Sequence, residues 1–157
     1  MAAQDISKNF EEKFKEDWKK SFPKGTIDRL YDTTSGYKSI STVSDFICYN
    51  YPNQYYIECK SHKGASFPFT NLTQYDKMKQ KVGIKGVRSG VVLWLYEKDK
   101  IFYIPIATIT KMKNEGKKSV GIRSIGEGYY IIEIPSKKLR IYMNSDYSCL
   151  SKLEEGF

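Results

Sequence analysis

Three residues of this 157-residue chain have types and spacing that suit chemistry: Asp45, Glu58 and Lys60. They stand in the segments Ser44-Asp45-Phe46 and Ile57-Glu58-Cys59-Lys60. Side chains alternate along an extended strand, so Tyr55, Ile57 and Cys59 share one face and Tyr56, Glu58 and Lys60 the other. The first set suits a core. The second sets an acid beside a lysine. Between the segments, Tyr51-Pro52-Asn53-Gln54 reads as a turn with Pro at its second position and Asn at its third. A two-residue turn at Pro52-Asn53 places Asp45 opposite Lys60. A turn centre moved by one residue places Asp45 opposite Glu58. Either register keeps Asp45, Glu58 and Lys60 on one face, with directly opposed Cβ atoms about 4.5–5.5 Å apart.

Two carboxylates about 5 Å apart repel by about 3 kcal/mol at an effective dielectric of 20. A divalent cation between them removes that penalty. Oxygen ligands and a partly open shell suit Mg²⁺, with Mn²⁺ able to substitute. Such an ion makes a hydroxide nucleophile and shields charge developing on a phosphate. Lys60 would orient the water or stabilise the phosphorane. Cys59 should point its thiol into the core while its backbone carbonyl serves as a further metal ligand. His62, two residues beyond Lys60, is a candidate contact to the scissile phosphate. The competing reading is an ordinary surface hairpin with cross-strand charge pairing. A preceding acid-bearing helix, a following crossover helix and a basic surface favour the nuclease-like reading.

The elements that must position these groups follow from periodicity. Residues 5–22 predict a helix with Phe10, Phe14 and Trp18 on one buried stripe, ended by Pro23-Lys24-Gly25. Strands are expected at 26–31, 43–49 and 55–61, with residues 32–42 a mobile loop or hairpin tip. A helix is expected over 71–82, with Leu72, Tyr75, Met78 and Val82 as its apolar stripe. The unbroken apolar run 91–96 predicts a central strand covered on both faces, with Trp94 in the core. A strand at 101–104, a helix at 107–114, a basic Gly-rich loop at 117–128, a hairpin of 129–134 with 139–143, and a terminal helix at 146–153 complete the chain. This order predicts an α/β fold, a mixed central sheet flanked by helices in one domain over residues 1–157. The unit from 55 to 96 should be a right-handed crossover.

Composition narrows the chemistry. One histidine, His62, excludes His-pair zinc hydrolases and two-histidine phosphodiesterases within one chain. Cys48, Cys59 and Cys149 form no CxxC pair and read as reduced thiols of a cytoplasmic protein. No stretch reads as a signal peptide or a membrane span. The net charge of +8 suggests a polyanionic partner. Only Arg29, Arg88, Arg123 and Arg140 are arginines, so lysine point charges on phosphates are expected rather than base reading. Lys38, Lys85, Lys117, Lys118 and Arg123 are the candidate DNA contacts, together with His62.

At these residues the chain resembles the PD-(D/E)xK nuclease superfamily, which shares the restriction-endonuclease-like core. It is similar in particular to RecU-type Holliday junction resolvases of Gram-positive bacteria and their phages. The likeness runs through Ser44-Asp45-Phe46, Tyr56-Ile57-Glu58-Cys59-Lys60, Ser66-Phe67-Pro68-Phe69, Asn71-Leu72 and Gln74, and reaches Lys117-Lys118-Ser119-Val120. It covers roughly residues 9–119 and fades beyond them. The resemblance implies a Mg²⁺-dependent homodimer that makes paired symmetric nicks in a four-way DNA junction, in the bacterial host cytoplasm if phage-encoded. It makes Asp45 and Glu58 metal ligands and Lys60 the catalytic lysine. It also implies an acid on the first helix that reaches the metal. Phe10-Glu11 fits that position, since Glu11 lies beside the apolar stripe and Glu12 points away. Gln74 would touch the metal-bound water or the phosphate. The family's long stalk corresponds here to a short stretch at about 32–42, and no proline precedes Asp45. Two further readings are another PD-(D/E)xK endonuclease acting on duplex DNA and a non-catalytic basic DNA-binding protein whose acids are structural.

Overall fold

A computed structural model describes residues 2–36 and 38–157 of the chain. The first helix, α1 (Ala3–Ser21), follows from its apolar stripe: Phe10, Phe14 and Trp18 are all buried, the last two completely. Strand β1 (Thr26–Arg29) comes next, then a short hairpin, β2 (Thr33–Ser35) with β3 (Lys38–Ile40). Asp32 closes that hairpin by accepting the Thr42 N–H at 2.7 Å. Residues 32–42 therefore take the hairpin option of the sequence reading. Tyr37 and the side chain of Lys38 lie outside the described residues.

Strands β4 (Phe46–Asn50) and β5 (Asn53–His62) form the hairpin that carries the acids. Asn50 pairs with Asn53 and Phe46 with Ile57, so of the two registers the second is realised. Pro52 follows a cis peptide and takes the third turn position, not the second as expected. After β6 (Ser66–Pro68) and a 3-10 turn (Phe69–Asn71), α2 spans only Tyr75–Lys79. The longer helix expected over 71–82 is not formed. Leu72 is spent on the turn, where its N–H bonds to Phe69, and the chain leaves the helix toward Gly83, whose φ is +82°. The predicted stripe still packs, with Leu72 and Met78 buried.

Strand β7 (Val87–Leu95) runs parallel to β5 and antiparallel to β8 (Lys100–Pro105), which α3 (Ile106–Asn114) follows. The stretch expected as a loop at 117–128 instead forms β9 (Ser119–Gly121) and α4 (Ile122–Gly126). Val120 is buried there opposite Phe67 of β6, so burial of one apolar residue orders the segment. The expected hairpin of 129–134 with 139–143 is replaced by three short strands. β10 (Ile132–Glu133) joins β8, and β11 (Ser136–Lys138) pairs with β12 (Met143–Ser145). The terminal helix is a 3-10 turn, Tyr147–Lys152.

The main sheet has the order β1-β4-β5-β7-β8-β10, with β5 and β7 its parallel pair. Helix α1 covers one face, where Phe14 and Trp18 meet Phe46, Tyr55 and Tyr147. Helices α2 and α3 cover the other, where Met78, Ile106 and Ile109 pack with Val91, Leu93 and Leu95. The fold is thus a mixed α/β sandwich, as the element order predicts, with β7 buried on both faces from Ser89 to Leu95. Gly90 lets β8 cross close by, because a Cβ there would lie inside the Tyr103 ring. Tyr103 is fully buried and has little room to retreat. Gly90→Ala should therefore cost about 1–3 kcal/mol in urea unfolding at unchanged secondary structure.

Candidate active site

The ladder between β4 and β5 stops at Phe46–Ile57, while β5 continues to His62. Beyond Ile57 the β4-side edge of β5 is open, and the Asp45 side chain fills its first position. Asp45 Oδ2 accepts the Cys59 N–H at 2.9 Å, and the Asp45 N–H donates to Glu58 Oε2 at 2.9 Å. Glu58 thus binds the Asp45 backbone, and Asp45 the backbone of the residue after Glu58, at the point where the hairpin splays. A residue's N–H and C=O leave an extended strand on the same side. The Cys59 carbonyl therefore faces this same edge, while its thiol is buried with the core of the α1 face. The Ser44 hydroxyl, fully buried, donates to the Phe46 carbonyl at 2.9 Å and fixes the bend before Asp45.

Lys60 Nζ lies 3.2 Å from Glu58 Oε1. Glu58 pairs in register with Val91 and Lys60 with Leu93, and both partners belong to the α2–α3 core. The acid and the lysine thus emerge on the α2–α3 face. Glu11 approaches from α1. One turn before it, the Ser7 hydroxyl is 2.9 Å from the Ser61 hydroxyl and sets that stretch of α1 against β5.

Glu11 and Asp45 are joined by a residue that sequence reasoning passed over. Arg29, at the end of β1, puts Nη2 2.9 Å from Glu11 Oε2 and Nη1 3.2 Å from Asp45 Oδ1. Its Nη1 also donates to the Leu30 and Asp45 carbonyls at 2.6 and 2.9 Å. The guanidinium lies 5.3 Å from the Phe46 ring centre. The signal was present in the alternation of β1: Arg29 is two residues after buried Ile27 and so shares its inward face.

Charge and burial oppose one another here. Glu58 is 2% exposed. Burial, then the neighbouring Asp45 charge, pushes its carboxyl up to about 8, against the pull of Lys60. Burial also raises Asp45, although the Cys59 N–H, Arg29 and Lys60 hold it back. Glu11 is raised by burial and by Asp45, with Arg29 opposing. Removing Arg29 leaves two acids facing each other with only the weaker pull of Lys60 to offset them. Arg29→Leu should destabilise the metal-free protein by about 1.5–3 kcal/mol, the scale of hydrogen bonds to charged groups, measured by urea unfolding in EDTA.

The remaining candidates are placed unevenly. Gln74 precedes α2 with no side-chain bond to the helix, and its Oε1 accepts from the Thr73 hydroxyl at 2.9 Å. His62 ends β5, edge-on to Phe67. Lys85 precedes β7 near Gln54, four strand positions or about 13 Å from the level of Glu58, so it is not brought to the acids. Lys117 is not free but pairs with Glu127 at 3.0 Å. The Lys118 carbonyl accepts the Phe69 N–H, and Arg123 is exposed on α4. Pairing of β6 with β9, Ser66 opposite Gly121 and Pro68 opposite Ser119, brings the Ser66-Phe67-Pro68 block beside Lys117-Lys118, and the Ser66 hydroxyl donates to Ser119 Oγ at 2.7 Å.

No protein-family model matches the chain, and no curated protein matches its sequence. In fold it is similar to Hjc, a Holliday junction resolvase of the archaeal hyperthermophile Archaeoglobus fulgidus. The TM-score is 0.55 at 15% identity, over 78% of this chain and 93% of that one. The chain has a resolvase-type fold. It is a mixed α/β sandwich, as the element order led one to expect, and restriction-endonuclease-like, as the family resemblance at Asp45…Glu58-Cys59-Lys60 implied. Among the described residues, no helix is long and apolar enough to cross a membrane.

Among the described residues, no three His, Cys, Asp or Glu side chains surround a common ion position. Glu11 is committed to Arg29, which leaves Asp45, Glu58 and the Cys59 carbonyl as the donor set. That set fits Mg²⁺, which is commonly held by one or two carboxylates and keeps several waters. It also suits the electrostatics, since a cation would relieve the burial of Glu58 beside Asp45.

Proposed function

We propose that this chain is a metal-dependent, structure-selective DNA endonuclease of the RecU type, which resolves four-way junctions by paired symmetric nicks. The observation that carries the reading is the interlocked Asp45–Glu58 pair at the open edge of β5, with Lys60 3.2 Å from Glu58, in a resolvase-type fold. Asp45, Glu58 and the Cys59 carbonyl would hold Mg²⁺, or Mn²⁺ in its place, and Glu11 would reach it only on leaving Arg29. An ion bound there would supply a water of lowered pKa and a charge to offset that building on the phosphate. Lys60 turns from Glu58 to hold the attacking water or a phosphate oxygen. Gln74 orients the same water or phosphate from the start of α2. His62, Lys38, Lys117, Lys118 and Arg123 contact DNA around it, and Lys85 contacts DNA at a distance from it. The chain works in the cytoplasm as a homodimer, whose two-fold axis matches that of the junction and presents one site to each of two strands.

The test is cleavage of an immobile four-way junction and of a linear duplex of the same sequence, in Mg²⁺, Mn²⁺ or EDTA. Symmetric metal-dependent nicks in the junction alone support the resolvase reading. Equal cutting of the duplex would make the chain a general PD-(D/E)xK endonuclease. Tight binding without cutting in any metal would leave a basic DNA-binding protein with a charged structural hairpin.

A further inference from the structure

The positive charge is not spread evenly over the molecule. Helix α1 carries five lysines and five acids, so it is neutral overall. On the opposite face, residues 75–81 and α3 together carry five lysines, Lys77, Lys79, Lys81, Lys111 and Lys113, against one acid, Asp76. The two acids that follow nearby are occupied. Glu115 accepts the Tyr129 hydroxyl and Glu127 pairs with Lys117.

These lysines are also held in place. Lys113 Nζ is 3.8 Å and Lys79 Nζ 5.9 Å from the centre of the Tyr75 ring, so ammonium groups from two helices converge on one aromatic side chain. The ring is fixed in turn, because the Tyr75 hydroxyl lies 2.8 Å from Thr110 Oγ1, which donates to the Ile106 carbonyl. Cation–π attraction thus gathers two like charges that would otherwise separate. Lys81 lies 5.1 Å from the Tyr56 ring centre, on the strand face that carries Glu58 two residues on. The lysines therefore lead from the helices toward the acid pair. Pairing this face with its own copy would bring like charges together, which disfavours a self-contact here.

We propose that the α2–α3 face is a second phosphate-backbone site, at which Lys79 and Lys113, gathered by Tyr75, grip the DNA duplex arm that leads to the cut. The identity of the polyanion rests on the nuclease reading. The grip itself does not require cutting. Arginine forks are absent from it, so it holds the backbone without reading sequence.

The test is binding of a four-way junction and of a duplex in EDTA across a salt series, by fluorescence anisotropy, using wild type, Lys79→Gln/Lys113→Gln and, as control, Lys8→Gln/Lys19→Gln on α1. The first variant should lower the slope of log affinity against log salt by about 1–2, since each lost phosphate contact removes about 0.9. It should weaken binding about tenfold or more, and the control should match wild type. Because no cutting is measured, inactivity of the wild type would leave this outcome readable. An unchanged slope and affinity in Lys79→Gln/Lys113→Gln would overturn the proposal, and so would an equal loss in the α1 control. Polyglutamate bound as tightly as DNA, and lost in the same variant, would assign the face to an acidic protein and also overturn it.

Discussion

Glu58→Gln should reduce junction cleavage by about 10³-fold or more, leave DNA binding intact, and raise the melting temperature near pH 8 in EDTA. The activity loss follows from charge. A single electrostatic group in a water-excluded site is worth about 10²–10³ in rate, and Glu58 would also supply half of the carboxylate pair. The fold should survive because the amide is nearly isosteric. Its oxygen can still accept the Asp45 N–H now taken by Glu58 Oε2 at 2.9 Å. The stability gain is the less intuitive part. Glu58 is buried beside Asp45, and Lys60 does not fully offset the cost of its charge. A neutral side chain of the same shape removes that cost. Single-turnover cleavage, anisotropy and differential scanning calorimetry on the same preparation measure all three quantities. A variant that cuts at the wild-type rate would remove Glu58 from the chemistry. One that cuts poorly and also melts far below wild type would reduce Glu58 to a structural residue.

How much of this site was legible in sequence depends on the range of the interaction concerned. The common face of Glu58 and Lys60 needs only the two-residue period of a strand, and it was legible. So was the α1 stripe of Phe10, Phe14 and Trp18. The partner across from Asp45 was legible only as a choice of two, because a shift of one residue in the turn centre separates them. Pairing of Asn50 with Asn53 selects Glu58. Arg29 was missed because its role appears only once β1 lies beside β4 and α1 lies over both. The length of α2 was misread for a different reason. Its stripe of Leu72, Tyr75, Met78 and Val82 is real in burial, but a 3-10 turn and a short helix bury the same residues as one longer helix would. Periodicity reports which side chains face inward and does not fix the hydrogen bonds between them. The contact between Ser66-Phe67-Pro68 and Ser119-Val120-Gly121 joins remote segments of three residues each. Segments so short carry no periodic signal, and the polar Gly-containing sequence around 117–128 read as loop.

In EDTA, the wild-type protein should lose stability as the pH rises from about 5 to about 8, and Mg²⁺ should restore it most at the upper end. The sign follows from the direction of the shifts. Glu11, Asp45 and Glu58 are all raised above their ordinary values, Glu58 to about 8. A group with a raised pKa binds its proton more tightly in the folded state. Its contribution is fully present below the ordinary value, 4.5 for Glu58, and is lost as pH climbs through the folded value. For Glu58 alone the loss is a few kcal/mol at about 1.4 kcal/mol per unit. The opposite trend, stability rising with pH, would be expected if the acids were held by ion pairs with Arg29 and Lys60 strong enough to lower them. Desolvation outweighs those pairs at Glu58, because the carboxylate is buried while Lys60 remains partly in water. A divalent cation takes the place of the proton, so its stabilising effect should grow with pH as the proton is released. Calorimetric melting temperatures between about pH 5 and about 8, with EDTA or with excess Mg²⁺, give the two curves. They should meet at low pH and diverge upward, and Glu58→Gln should flatten the EDTA curve and narrow the gap. Parallel curves would mean that the ion binds away from Asp45 and Glu58. An EDTA curve that rises with pH would mean that Arg29 and Lys60, not burial, set the protonation of the acids.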